Sequence, residues 1–170
     1  MIFCSGGVWA APKDKIEDEI PVFREVAPGI YRGAQPSAHG YDYLQSLGVK
    51  TIVNFRHEQD PIKWDEKQAK EREMQYVSLP WTIYGEYDRN LVKDYFEVMK
   101  DPANRPVFIH CRRGCERTSA MAALYYLKFE GLSDEEAFKK ATAGIPIRWF
   151  FMPLVKKQYN VFKEEVKKSS

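Results

Sequence analysis

The residues best equipped for chemistry lie together: His110-Cys111-Arg112-Arg113-Gly114-Cys115-Glu116-Arg117-Thr118. An apolar run, Pro106-Val107-Phe108-Ile109, leads into them, and a helix-like run, Thr118 to Phe129, leads out. The segment reads as strand, tight loop and helix start. A helix start leaves backbone N–H groups unpaired at the positive end of a dipole, which suits anions. A loop of successive amides adds an anion nest. A thiol at the mouth of that nest, here Cys111, is expected to ionise more readily than a free one and to act as a nucleophile. Arg117 can fold back and offer two parallel N–H groups to a phosphate. Thiolate, cradle and bidentate cation together predict phosphoryl transfer to sulfur, with the loop amides and Arg117 meeting the equatorial oxygens of a loose transition state.

His-Cys, five residues, then Arg-Thr resembles the signature loop of the cysteine-dependent protein tyrosine phosphatase superfamily, and Gly114 stands where that pattern wants glycine. The resemblance extends upstream. Ile30-Tyr31-Arg32-Gly33-Ala34-Gln35-Pro36-Ser37, a helix ending in Leu47-Gly48-Val49, and Lys50-Thr51-Ile52-Val53-Asn54-Phe55-Arg56 are similar to the amino-terminal half of compact dual-specificity-type phosphatases. The bacterial phytase-like branch and the fungal and plant atypical branch are the most similar, over about residues 25 to 130. The resemblance implies a phosphatase that works through phosphocysteine, without metal or other cofactor. It also implies that the Thr118 hydroxyl donates to the Cys111 sulfur and improves it as a leaving group. His110 is expected to hold the loop by hydrogen bonds rather than to react.

The resemblance further implies a general acid on a mobile loop before the signature strand. The matching stretch is Trp81-Thr82-Ile83-Tyr84-Gly85-Glu86-Tyr87-Asp88. Asp88 has the usual residue type, although it is also placed to cap the following helix. Glu86 is the second candidate, beside flexible Gly85. Both stay open.

Arg112 and Arg113 add charge inside the cradle. Pointing outward, they would meet phosphates other than the one cleaved, which favours a substrate bearing several, such as an inositol polyphosphate. Otherwise they are solvated, or partners for Glu58, Asp60 or Glu86. Gly114, Cys115 and Glu116 complete the phosphate-binding loop. Arg56, His57 and Glu58 leave a strand at the same sheet edge, where Arg56 or His57 can contact substrate and Glu58 can orient an arginine. Arg148, with Lys139 and Lys140 near it in sequence, is a further candidate for phosphate contact, whereas Trp149-Phe150-Phe151 is expected in the core. Cys115 could form a reversible disulfide with Cys111.

Length and composition fit one globular domain: 170 residues, 44% hydrophobic and 14% aromatic. The formal net charge of +2 excludes a general nucleic-acid binder. Three cysteines, Cys4, Cys111 and Cys115, make no disulfide framework, and three scattered histidines, His39, His57 and His110, give no zinc-like spacing. No run approaches the ~18 apolar residues of a membrane helix. Met1 to Ala11 is apolar and small, and Val8-Trp9-Ala10 resembles the end of an export signal. Residues 1–20 are therefore expected to be a leader or an N-terminal extension, and 21–170 a single phosphatase domain. A true export-signal remnant would make the protein periplasmic or secreted, and its alternative cytoplasmic. Partners are expected to be a phosphorylated small molecule or a phosphoprotein.

The elements that must position these residues alternate. Strands are expected at Phe23–Tyr31, Lys50–Phe55, Gln75–Leu79 and Pro106–Ile109. Helices are expected at Ala38–Leu47 (capped by Ser37), Lys63–Glu73 (charged and exposed), Arg89–Met99, Thr118–Phe129, a run from Ser133 with Glu136 as capping partner, and Pro153–Lys168. This order predicts a three-layer α/β fold, a mostly parallel sheet of about 4–5 strands flanked by helices, with the loop at the carboxyl end of a central strand. Two other classes compete with the enzyme: a phosphate-binding module without turnover, and a thiol redox protein, which leaves Arg117 unexplained.

Overall fold

A computed structural model describes residues 13–168. Its sheet has five strands in the order β1-β2-β5-β3-β4. They are β1 Arg24–Ala27, β2 Ile30–Ala34, β3 Thr51–Asn54, β4 Gln75–Ser78 and β5 Val107–Cys111. β2, β5, β3 and β4 run parallel, and only β1 is antiparallel. The single early strand expected over Phe23–Tyr31 is instead a hairpin, because Gly29, at φ 73°, turns the chain back between Ala27 and Ile30.

Among the described residues seven α-helices surround the sheet: α1 Lys13–Glu19, α2 Ala38–Ser46, α3 Gln59–Glu71, α4 Leu91–Lys100, α5 Glu116–Phe129, α6 Asp134–Thr142 and α7 Met152–Lys168. The expected caps form. The Ser37 hydroxyl accepts from the Gly40 amide at 3.0 Å, and Ser133 and Glu136 close a reciprocal capping box.

Strand alternation sorts β5 between two cores. Val107, Ile109 and Cys111 pack with α4, α5 and α7 on one face, while Phe108 packs with Tyr41, Leu44 and Ile52 on the other. Ile16 and Ile20, within the stretch expected as a leader or N-terminal extension, join this second core. The export-signal reading rests on residues 1–11, which lie outside the described residues.

One helix differs in kind from its expectation. α3 begins four residues early, and its polar Asp65 and Gln68 are buried with Ala69. Its charge pattern suggested solvent on all sides, but Asp65 faces a set of donors under the sheet edge.

Candidate active site

β5 lies between β2 and β3, and the three strands end level: Ala34 pairs with Cys111, and Gly33 and Asn54 flank His110. Everything past Cys111 therefore turns over the carboxyl edge of the sheet, where parallel sheets present ligands.

The loop carbonyls have partners. Cys111 O faces His110 Nδ1 at 3.4 Å, and Arg112 O accepts from the Gln35 amide at 3.4 Å. Arg113 O accepts from the Cys115 thiol at 3.2 Å, Gly114 O from the Arg32 guanidinium at 2.7 Å, and Cys115 O from the Ser119 amide at 2.9 Å. The amides of Arg112, Arg113, Gly114 and Cys115 donate to no protein acceptor among the described residues. A loop whose carbonyls are all engaged and whose amides are free is an anion nest at a helix start.

Gly114 has φ 67°, and a Cβ there would lie 2.4 Å from the Gly33 carbonyl carbon. Only glycine lets β2 support the loop this closely. The segment Arg32-Gly33-Ala34-Gln35 is thus the floor of the loop.

A cavity of about 570 Å³ opens above it, lined by His57, Glu58, Thr82–Tyr84, Glu86, Cys111–Arg113, Glu116, Arg117, Arg148 and Phe151. Arg117 is anchored. Its NH1 donates to Phe55 O at 3.0 Å and Trp81 O at 3.4 Å, meets His57 Nδ1 at 3.1 Å, and lies 3.9 Å from Glu58. Glu58 also grips Arg56 at 3.2 Å. Partial burial pushes the Glu58 carboxyl upward, but the Arg56 hydrogen bond, the backbone amide of Glu58 and the charges of Arg56 and Arg117 outweigh it and hold the pKa at about 2. Glu58 is therefore a fixed negative strut that orients two arginines, as its place after β3 suggested.

The other predicted residues fall into two groups. Arg112 and Arg148 are exposed on the cavity wall, and their guanidiniums make no hydrogen bond or ion pair among the described residues; Arg148 only overhangs the Phe151 ring at 6.0 Å. Arg113 is committed to Glu116 at 3.0 Å rather than to Glu58, Asp60 or Glu86. Arg56 is spent on Glu58 and Gln35 and does not line the cavity. Lys140 binds Glu130 at 2.7 Å. Thr118 is fully buried, and its hydroxyl has no partner, the Cys111 sulfur included. Burial first and the Glu116 carboxylate second push the Cys115 thiol up to about 11, while its S–H is occupied by Arg113 O.

The two acid candidates separate. Glu86 is on the cavity wall, carried by a tight loop in which Trp81 bridges Tyr87 and Thr82 N bonds Glu86 O at 2.9 Å. Asp88 is not on that wall; its Oδ1 accepts from the Asn90 amide at 2.7 Å, just before α4. Trp149-Phe150-Phe151 is a 3₁₀ turn with Trp149 84% exposed, and not the core element expected. It runs directly into α7 beside Arg148.

Two residues that the sequence did not single out hold this edge. Arg32 is buried beneath the loop and donates to Gly114 O, to Ser119 Oγ at 2.8 Å and to Ala141 O at 2.7 Å. Asp65 is buried and accepts from Tyr41 OH, from Gln35 and from Asn54 at 2.8 Å; His110 Nε2 lies 2.9 Å away, out of hydrogen-bond alignment. The sequence signal for Arg32 was a charge at an inward-facing position of an apolar strand.

A parallel sheet edge carrying a free-amide loop, a cysteine at its mouth and an anchored arginine six residues later defines a cysteine-dependent phosphatase domain of the protein tyrosine phosphatase superfamily. The chain belongs to the family described as DSP-PTPase phosphatase fused to NAD+ kinase, whose model matches residues 9–145. It is 30% identical over 118 residues to "Probable NAD kinase 2, chloroplastic" of Oryza sativa subsp. japonica, covering 66% of this chain and 11% of that protein. It is 28% identical over 130 residues to "Dual specificity protein phosphatase TpbA" of Pseudomonas aeruginosa, covering 76% of this chain and 56% of TpbA. The TpbA crystal structure superposes with a TM-score of 0.69 at 23% identity, over 93% of this chain and 92% of that one. "Inositol diphosphatase DSP3" of Arabidopsis thaliana is 30% identical over 106 residues, 58% of this chain and 50% of that protein. The chain thus spans about half the length of the latter two curated relatives.

Proposed function

We propose that this domain hydrolyses phosphoric monoesters or phosphoanhydrides of inositol polyphosphates through a phosphocysteine. Cys111 Sγ attacks phosphorus in line; the S–P bond forms as the bond to the leaving oxygen breaks. Glu86 gives that oxygen its proton. Water then attacks the phosphocysteine, Glu86 takes back a proton, and the sulfur leaves. The free amides of Arg112–Cys115 and the Arg117 guanidinium hold the equatorial oxygens throughout, where preorganised donors are worth several kcal/mol.

The observation that carries the substrate reading is the pair Arg112 and Arg148. Both are unpaired cations on the wall of the cavity that holds Cys111 and Arg117. A single phosphate needs the loop and Arg117 alone, so two further free guanidiniums suit a substrate with phosphates beyond the one cleaved. The similarity to the inositol diphosphatase supports the same class.

The test sets kcat/KM on phytate, an inositol pyrophosphate and a phosphotyrosine peptide side by side, with EDTA present. Turnover is expected on the inositol compounds and lost in Cys111→Ser. Arg112→Ala and Arg148→Ala should raise KM about 10-fold for inositol substrates and leave p-nitrophenyl phosphate nearly unchanged. A preference for the peptide, with no effect of either arginine, overturns the substrate reading.

A second reading is a protein tyrosine or dual-specificity phosphatase. It is favoured by Tyr84 and Phe151, which give the cavity aromatic walls suited to an aryl phosphate, and by the similarity to TpbA.

A further inference from the structure

Arg32 is 2% exposed, yet no carboxylate pairs with it among the described residues. Its three acceptors, Gly114 O, Ser119 Oγ and Ala141 O, are neutral oxygens, and its Nε has no partner. A buried cation costs several kcal/mol to desolvate unless an anion faces it. Among charged and titratable neighbours, Cys111, Cys115 and Tyr126 favour its charge and Arg24 opposes it. Cys115 is held as a thiol, so it supplies no negative charge. Of these neighbours the Cys111 sulfur lines the cavity, and an oxyanion held by the loop amides would add negative charge on the same side.

We propose that Arg32 is a positioning residue of the site: from beneath the loop it holds the Gly114 carbonyl away from the cavity, and it supplies the buried positive charge that the sulfur and a bound oxyanion balance. Arg117 meets the substrate from the cavity side, and Arg32 acts through the loop from the opposite side without touching substrate. Ser119 and Ala141 tie the same guanidinium to the first turn of α5 and to the end of α6, so the loop is fixed to both helices. The assignment rests on the phosphatase reading for its catalytic consequence, but not for its effect on anion binding.

The experiment uses the full chain with tungstate as probe. Arg32→Gln keeps a neutral donor and removes the charge; Arg32→Lys keeps the charge and loses the fork. Calorimetric tungstate affinity is expected to fall about 30-fold in Arg32→Gln and to stay within about 5-fold in Arg32→Lys. The acid-side limb of kcat/KM against pH is expected to move to higher pH in Arg32→Gln only. Thermal melting of each variant separates folding from charge. Should Arg32→Gln melt lower yet bind tungstate as the wild type does, with an unchanged pH profile, Arg32 is merely structural and the proposal fails. Should Arg32→Gln not fold, a folded Arg32→Lys that no longer binds tungstate overturns it, and one that still binds supports it. Wild-type protein that binds tungstate but turns over no phosphate compound refutes the phosphatase reading and leaves the tungstate comparison to judge Arg32.

Discussion

Gly114 and Gly33 meet backbone to backbone: a methyl group on Gly114 would sit 2.4 Å from the Gly33 carbonyl carbon and 2.5 Å from the Ala34 nitrogen. Gly114→Ala must therefore either push the loop off β2 or abandon its φ of 67°. The expected cost is about 2–4 kcal/mol, read as a lower urea midpoint, together with loss of phosphate-analogue binding. A variant as stable as the wild type would show that the loop does not rest on β2.

The acid assignment separates by leaving group. Glu86→Gln should slow substrates with poor leaving groups by about 10²-fold and activated esters far less, since only the former need the proton. Asp88→Asn should change both little, and Asp88→Ala should cost about 0.5–1 kcal/mol through the lost turn to Asn90. Steady-state rates on alkyl and p-nitrophenyl phosphates read the difference, and the reverse pattern would return the role to Asp88.

Asp65 joins Tyr41, Gln35 and Asn54 and faces His110. Asp65→Ala leaves several buried donors without an acceptor, an expected loss of about 3–5 kcal/mol. Asp65→Asn, which keeps an acceptor, should lose less. Equilibrium urea unfolding measures both. A neutral Asp65→Ala would mean that water enters and satisfies those donors.

Glu58 gives stability a pH dependence. Its pKa is depressed in the fold from 4.5 to about 2. Its contribution is thus complete above pH 4.5 and disappears as the pH falls toward 2. Glu58 is only partly buried, its side chain 32% exposed, so solvent screening keeps the effect small. The melting temperature of the wild type should fall more steeply between about pH 4.5 and pH 2 than that of Glu58→Gln. Parallel curves would remove Glu58 from the account.

The buried aromatics and aliphatics of β5, the caps at Ser37 and Ser133, and the turn after Leu47 are local devices, so their spacing alone places the strands and helices around Cys111. For the same reason the order of cysteine, glycine and arginine along one loop could be read directly. The failures share a cause. Asp65 sits among charged neighbours in a helix that looks solvated, and only the packing of α3 under the sheet edge exposes it to Tyr41 and Asn54 instead of water. Arg32 lies 82 residues before the carbonyl that it holds. Glu86 and Asp88 are two positions apart, and the Trp81–Tyr87 bridge decides which one faces the cavity. Chemistry carried by a contiguous segment is written in the sequence, because chain connectivity fixes its geometry. Where a buried charge finds its partners depends on strand order and helix docking, and that is settled only when distant segments meet.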